Sequence, residues 1–324
     1  MKIKLPVIIL ILLSNLCLGQ SVLYKKWDVF SANGKKGIKD KKGTIVVPAK
    51  YDDVDFGYAD TLVRVKLNEK VGVLDKFGKE MTPIKYDGTF WYTDNLLLVS
   101  TDGKWGYLDK KGNEIIPLIY QRGGMFSEKL ANVKLDGKYG FIDGKGNTIV
   151  DFLYDDATVF NDGIAKVRSD GKFAFINVQG KEITDFKYDA GYFSKDGLIR
   201  VKLDKKYGFI NKNGEEIIPL KYDDANDFEE GLAVVKLNNK FGYIDKTGKE
   251  IIPLTYDRTY PFSFGLGAVQ IEKKYGFVDK TGKVVIPIKY DSAAGFVDGK
   301  AFVGLNGNYF SIDVKGNCVG NGCK

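Results

Sequence analysis

Carboxylates and lysines are the side chains here with the most chemical capacity, and both recur along the chain. Acidic clusters stand at Asp52-Asp53-Asp55, at Asp155-Asp156, and at Asp223-Asp224 with Asp227, Glu229 and Glu230. Converging oxygens could hold calcium, and two carboxylates at a fixed separation across a cleft could hydrolyse a glycosidic bond. Calcium asks for roughly six to eight oxygens, and no EF-hand-like Asp-x-Asp-x-Asp-Gly loop is present. Acids that return at regular intervals on polar segments are a poor match to one asymmetric active site, so they are read as turn formers. Histidine is absent, which excludes an imidazole base, a His metal ligand and a His pH switch. No catalytic residue, cofactor or metal ligand is therefore expected, and the chain is read as non-enzymatic.

Two further rows run in step. Lys35, Lys70, Lys104, Lys138, Lys172, Lys206, Lys240 and Lys274 form a ladder of positive charge, and Asp40, Asp75, Asp109, Asp143, Asp245, Asp279 and Asp313 run parallel to it. Opposite charges repeated in step are expected to form exposed cross-strand pairs worth about 0.2 to 1 kcal/mol each, with an anionic-polymer site as the sharper alternative. Immediately after the lysines comes an aromatic column of Trp105, Tyr139, Phe173, Tyr207, Phe241, Tyr275 and Tyr309. It is read as a packing spine where units meet, with ligand stacking as the alternative.

These rows exist because the sequence repeats every 34 residues. One glycine falls at Gly37, Gly72, Gly106, Gly140, Gly208, Gly242 and Gly276, with Ala174 and Phe310 in the remaining places. A second is present in all nine copies, from Gly43 to Gly316, and a tyrosine follows from Tyr51 to Tyr290. Each unit reads as three short strands, exemplified by Leu232 to Leu237, Lys240 to Asp245 and Glu250 to Leu254. Asn33-Gly34, Asp102-Gly103, Asp136-Gly137, Asp170-Gly171 and Asn306-Gly307 mark tight type I′ hairpins between the first two strands. Pro253 lacks an N–H and belongs at a strand end or edge. The polar stretch from Tyr256 to Gly265 reads as an irregular outer connection.

The fold expected is all-β, a tandem array of about eight three-stranded meanders with a truncated ninth as cap. A 34-residue meander cannot bury its apolar face alone, so neighbours must pack on one another. Terminal units look modified: Lys36 and Val71 stand where the others carry a ring, and Cys318-Val319-Gly320-Asn321-Gly322-Cys323 replaces the last Ile-Pro strand. An open, solenoid-like array is favoured over propeller-like closure, which usually takes about four strands per blade.

Residues 1–19 read as a signal peptide: Lys2 and Lys4 precede the apolar run Pro6 to Leu13, and Cys17-Leu18-Gly19 sets cleavage before Gln20. Lipidation at Cys17 is the minority reading. No later segment looks membrane-spanning. The charge is +7 overall, spread through alternating Lys and acids, which gives little support to a nucleic-acid arm. Of three cysteines, Cys318 and Cys323 remain after cleavage, and in an exported chain an even pair favours a disulfide closing the C-terminal turn.

Lys104-Trp105-Gly106-Tyr107-Leu108-Asp109, followed by Gly112-Asn113-Glu114-Ile115-Ile116-Pro117 and Tyr120, resembles the WG-repeat (KWG-repeat) family, over about residues 27 to 316. The resemblance implies a bacterial, often exported repeat protein with no catalytic residue to carry over. The reading for residues 20–324 is a binding or interaction scaffold at the envelope or outside the cell, with a protein or cell-surface polymer as partner. Alternatives are a glycan-binding or carbohydrate-active module, for which Phe193 and Phe228 are the loop aromatics to test, and a structural envelope component.

Overall fold

The computed structural model describes residues 26–56, 62–194 and 197–320. Residues 1–25, which include the expected signal peptide and Gln20, lie outside the described residues, as does Cys323. The chain divides into two compact units, residues 1–153 and 154–324. Among the described residues there is no helix, every paired strand is antiparallel, and the strands form nine separate sheets of three or four, none closed on itself. Each unit by itself is thus a tandem run of open sheets, the arrangement expected of a solenoid-like repeat array.

The three strands fall where the repeat pattern puts them, at Leu232–Leu237, Lys240–Asp245 and Glu250–Tyr256. The hairpins between the first two are type I′: Asp102 and Gly103 have φ of +49° and +71°, and the non-glycine pair Asn238-Asn239 takes +50° and +63°. Pro253 sits within the third strand, which forms the edge of its sheet, and the register shifts on either side of the neighbouring Ile252.

The structure departs from the three-stranded expectation in two respects. In the repeats of Gly72 and Ala174 the third strand is reduced to isolated bridges, Val71 to Tyr86 and Leu74 to Glu80, and Phe173 to Tyr188 and Ile176 to Glu182. The residues after each tyrosine add a short outer strand, such as Asp224–Ala225 or Arg258–Thr259, so most sheets have four strands. The segment expected to be irregular is therefore partly ordered. It then turns back tightly, with Ser263 and Leu266 exchanging backbone hydrogen bonds of 3.0 and 3.2 Å around Phe264-Gly265. Burial of its phenylalanine explains the order: Phe160, Phe228, Phe262 and Phe296 are all buried, and Phe228 packs 5.0 Å from Phe209.

Within each unit the apolar clusters join one sheet to the next. Phe209, Ile218 and Tyr222 of one sheet pack with Ala225, Phe228, Ala233, Val235 and Ile244 of its successor, and Leu266, Phe277 and Ile286 pack likewise with Phe296, Ala301, Val303 and Ile312. The second glycine column serves the same contact. Gly248, Gly282 and Gly316, at φ near +85°, lie against Ile218, Ile252 and Ile286 of the preceding sheet. The core is therefore a series of shared clusters, as a quasi-one-dimensional repeat requires.

Candidate functional site

The periodic charges are the first residues to place. The lysine ladder pairs with carboxylates, but not with the parallel Asp row expected from its phase. Lys70, Lys172, Lys206 and Lys240 instead donate to Asp87, Asp189, Asp223 and Asp257, the acid that follows each tyrosine, at 2.5–2.7 Å; Lys35 and Lys274 pair in the same way with Asp52 and Asp291. The second oxygen of each acid accepts a backbone N–H from the hairpin turn that follows: Asp223 from Asn238 at 2.8 Å, Asp257 from Glu272 at 2.8 Å, and Asp87 from Asp102 at 2.7 Å. One carboxylate thus ties two consecutive hairpins together. Where Gln121 takes the place of the acid, its amide oxygen still accepts the Gly137 N–H at 2.7 Å. The reason the pairing was misread is geometric: the third strand returns beside the second and brings the acid 17 positions on next to the lysine.

The parallel Asp row does something else. Asp245 accepts the N–H groups of Thr247 and Lys249 at 2.9 and 3.0 Å, and Asp40, Asp75, Asp109, Asp279 and Asp313 cap their own turns in the same way. Both sets of carboxylates are engaged in holding the repeat.

Their titration follows. The Lys240 ammonium beside Asp257, and likewise Lys206 beside Asp223 and Lys70 beside Asp87, holds each carboxyl below the ordinary carboxylate range. The Asn113 side chain and Thr247 hydroxyl do the same for Asp109 and Asp245. A carboxyl whose folded pKa is depressed contributes stability that is present above its unfolded value of about 3.9 and is lost as pH falls through the folded value. The denaturant midpoint is expected to be level from neutral pH to about pH 5 and to fall steadily below about pH 4, as equilibrium unfolding at fixed salt would record.

The aromatic column is half-buried rather than central. Trp105, Tyr139, Phe173, Tyr207 and Phe241 are partly exposed, Tyr275 is buried, and Tyr309 on the last sheet is 63% exposed. The fully buried rings lie two residues further on, at Tyr107, Phe141, Phe175, Phe209, Tyr243 and Phe277. The alternation of a strand could have identified them, since residues two apart share a face and the column is followed by a second unbroken row of rings. Lysines from the partner strand lie over the half-buried rings, Lys134 over Tyr139 at 5.3 Å and Lys236 over Phe241 at 5.4 Å. Phe193 and Phe228 are not free loop aromatics: Phe193 packs edge-on against Phe175 at 5.7 Å, and Phe228 is 3% exposed. Cys318 is disulfide-bonded.

What makes the column's neighbouring glycine necessary is the proline strand. A Cβ on Gly242 would stand 2.6 Å from the Ile252 carbonyl oxygen and 2.8 Å from both the Leu254 nitrogen and the Pro253 carbonyl carbon. The Trp/Tyr-Gly pair and the Ile-Ile-Pro strand are one structural device, and their joint recurrence is the mark of a family. The WG-containing repeat family matches eight consecutive segments, from 37–70 to 275–309. The chain belongs to that family.

No curated protein sequence matches the chain. Among solved structures, this WG-repeat chain is similar to a eukaryotic initiation factor, at 11% identity and a TM-score of 0.41 over 91% of this chain and 95% of that one. It is also similar to PorZ, a surface component of the type-IX secretion system of Porphyromonas gingivalis (12%, TM-score 0.27, 91% and 50%). A third is the extracellular domain of a hybrid two-component-system protein of B. thetaiotaomicron (9%, TM-score 0.28, 91% and 56%). The chain spans about half the length of the latter two. No role passes from them to this WG-repeat chain.

Proposed function

We propose that this WG-repeat protein is a non-enzymatic interaction scaffold, exported to the bacterial envelope or beyond it, which binds its partner through the side chains that its repeated sheets present. The observation that carries this reading is the assignment of the periodic carboxylates, which are engaged in capping turns or in tying hairpins together. A general acid or nucleophile must be free to meet a substrate. The basic n-region, short apolar run and Cys17-Leu18-Gly19 support export. No helix among the described residues is long and apolar enough to cross a membrane.

Two measurements on the intact protein test the reading. Expressed with its presequence in a Gram-negative host, it is expected outside the cytoplasm with Gln20 as its first residue; retention in the cytoplasm with Met1 intact would contradict export. Incubated with envelope extract and with an array of glycans, it is expected to hold a ligand that is recovered chemically unchanged. Catalytic turnover of any bound ligand would overturn the scaffold reading.

A further inference from the structure

In a repeat protein, residues that serve packing recur, and residues that break the pattern in one place need a local reason. The second unit breaks its pattern at one position, that of Lys166 and Arg200, on the first strands of two consecutive sheets, while Arg168 and Lys202 beside them keep the cation that recurs as Lys134 and Lys236. Ile164–Ser169 carries Lys166 and Arg168, and Ile199–Leu203 carries Arg200 and Lys202. The equivalents of Lys166 and Arg200 in the next two sheets are Val234 and Ala268, both buried and apolar. In the same place an acid is lost: Ala190 faces Lys202 in register where Asp224 faces Lys236 and Asp156 faces Arg168.

Residues two apart on a strand share a face, so each pair of cations points to one side of its sheet. Three rings interleave with them. Arg168 and Lys166 lie 5.9 and 4.9 Å from the Phe173 centroid, Lys166 and Arg200 lie 5.8 and 4.7 Å from Tyr192, and Arg200 and Lys202 lie 5.9 and 4.9 Å from Tyr207. The order is therefore Arg168, Phe173, Lys166, Tyr192, Arg200, Tyr207, Lys202, with neighbouring cations sharing one ring. Tyr192 is 44% exposed and the other members are half-buried.

These cations differ from the lysine ladder in their partners. Among the described residues Lys172 and Lys206 pair with Asp189 and Asp223, whereas no carboxylate lies within ion-pairing distance of Lys166, Arg168 or Lys202. Arg200 alone has one, with its Nε 3.4 Å from Asp227. Burial pushes the Lys166 ammonium below the ordinary lysine range, against the raising effect of the exposed Asp156. Lys166 and Arg200 also tie adjacent sheets, donating to the carbonyls of Gly191 and Ala225. A tie does not require a full charge, since Val234 joins the same kind of inter-sheet cluster without one. Half-buried cations held by ring faces, three of the four with no carboxylate in ion-pairing reach, are preorganised for an anion.

We propose that this alternation of four cations and three rings is a binding track for a linear acidic polysaccharide, whose carboxylate or sulfate groups meet Arg168, Lys166, Arg200 and Lys202 in turn. This rests on the scaffold reading and names its ligand. A row of separated cations suits a chain with one charge per unit better than a single small anion. Single-stranded nucleic acid is disfavoured because the rings already carry cations near their faces and offer no free platform for base stacking. An extended acidic peptide is disfavoured because Ile199–Leu203 is an inner strand, paired on both sides, and cannot accept strand addition.

The test uses the intact mature protein and five polymers: polygalacturonate, dextran sulfate, neutral dextran, poly-L-glutamate and oligo-dT, with binding followed by titration calorimetry. Polygalacturonate or dextran sulfate is expected to bind, and which of the two binds tighter assigns carboxylate or sulfate as the preferred group. Affinity should fall about tenfold or more between about 50 and about 300 mM NaCl, while neutral dextran stays unbound. The double substitution Arg168→Gln with Lys202→Gln, which leaves both inter-sheet ties intact, should weaken binding about tenfold or more, and Lys202→Gln alone about threefold. Lys206→Gln with Lys240→Gln removes the same charge from the ladder and should leave affinity within about twofold. Equal losses in the two double variants would overturn the track, as would tighter binding of poly-L-glutamate or oligo-dT than of either polysaccharide. If none of the polymers binds, the track is wrong while the scaffold reading stands on its own capture experiment.

Discussion

Gly242→Ala is expected to destabilise the sheet that contains it by about 3 kcal/mol, an overpacking cost at the upper end of the usual range. The three atoms nearest the added Cβ are all backbone, on the strand that carries Pro253, and lie at 2.6–2.8 Å. No rotamer change relieves such a clash, so the proline strand must move off and its register with Lys240–Asp245 is lost. Gly295→Ala supplies the control, because its Cβ would meet nothing within 4 Å. Denaturant titration of the three proteins checks this: a large loss for Gly242→Ala and none for Gly295→Ala is expected, and equal midpoints would contradict it.

Phe209→Ala should cost more, about 3–5 kcal/mol, through lost transfer energy and the cavity left behind. The ring is fully buried, stands 5.0 Å from Phe228, and belongs to a cluster drawn from two successive sheets. Amide exchange should therefore accelerate both within residues 190–222 and within residues 224–256, and not in the mutated sheet alone. Phe241→Ala, at a half-buried position of the outer aromatic column, should cost about 1–2 kcal/mol, since less surface leaves water there on folding. Exchange confined to the sheet that carries Phe209 would refute the shared-core arrangement.

Strand positions and hairpin type were legible in the sequence because they depend on local chemistry. Asn-Gly and Asp-Gly fix tight turns such as Asp136-Gly137, and that turn fixes where Leu130–Leu135 ends and Lys138–Asp143 begins. Contacts between strands were less legible. Which acid meets Lys240 depends on the return path of the proline strand, and the spacing of the rows alone suggested Asp245 where the structure pairs Asp257. The core was displaced by one alternation, from Phe241 to Tyr243, because the ring beside the conserved-looking glycine draws the eye although the fully buried ring lies two residues on. The outer strand was missed because two residues such as Asp224–Ala225 carry no periodicity. The cation track emerges only when the repeats are superposed and their exceptions compared: Arg200 and Lys202 look ordinary until Val234 and the partnerless Ala190 position are set beside them.

Mutual support between successive sheets is most directly tested by removing the neighbours. A peptide of residues 224–256, comprising one complete four-stranded sheet, should give the circular dichroism of an unfolded chain in water, while the second unit containing that same sheet unfolds cooperatively. A cooperative thermal transition in the isolated peptide would show that one sheet is sufficient to itself and would contradict the account.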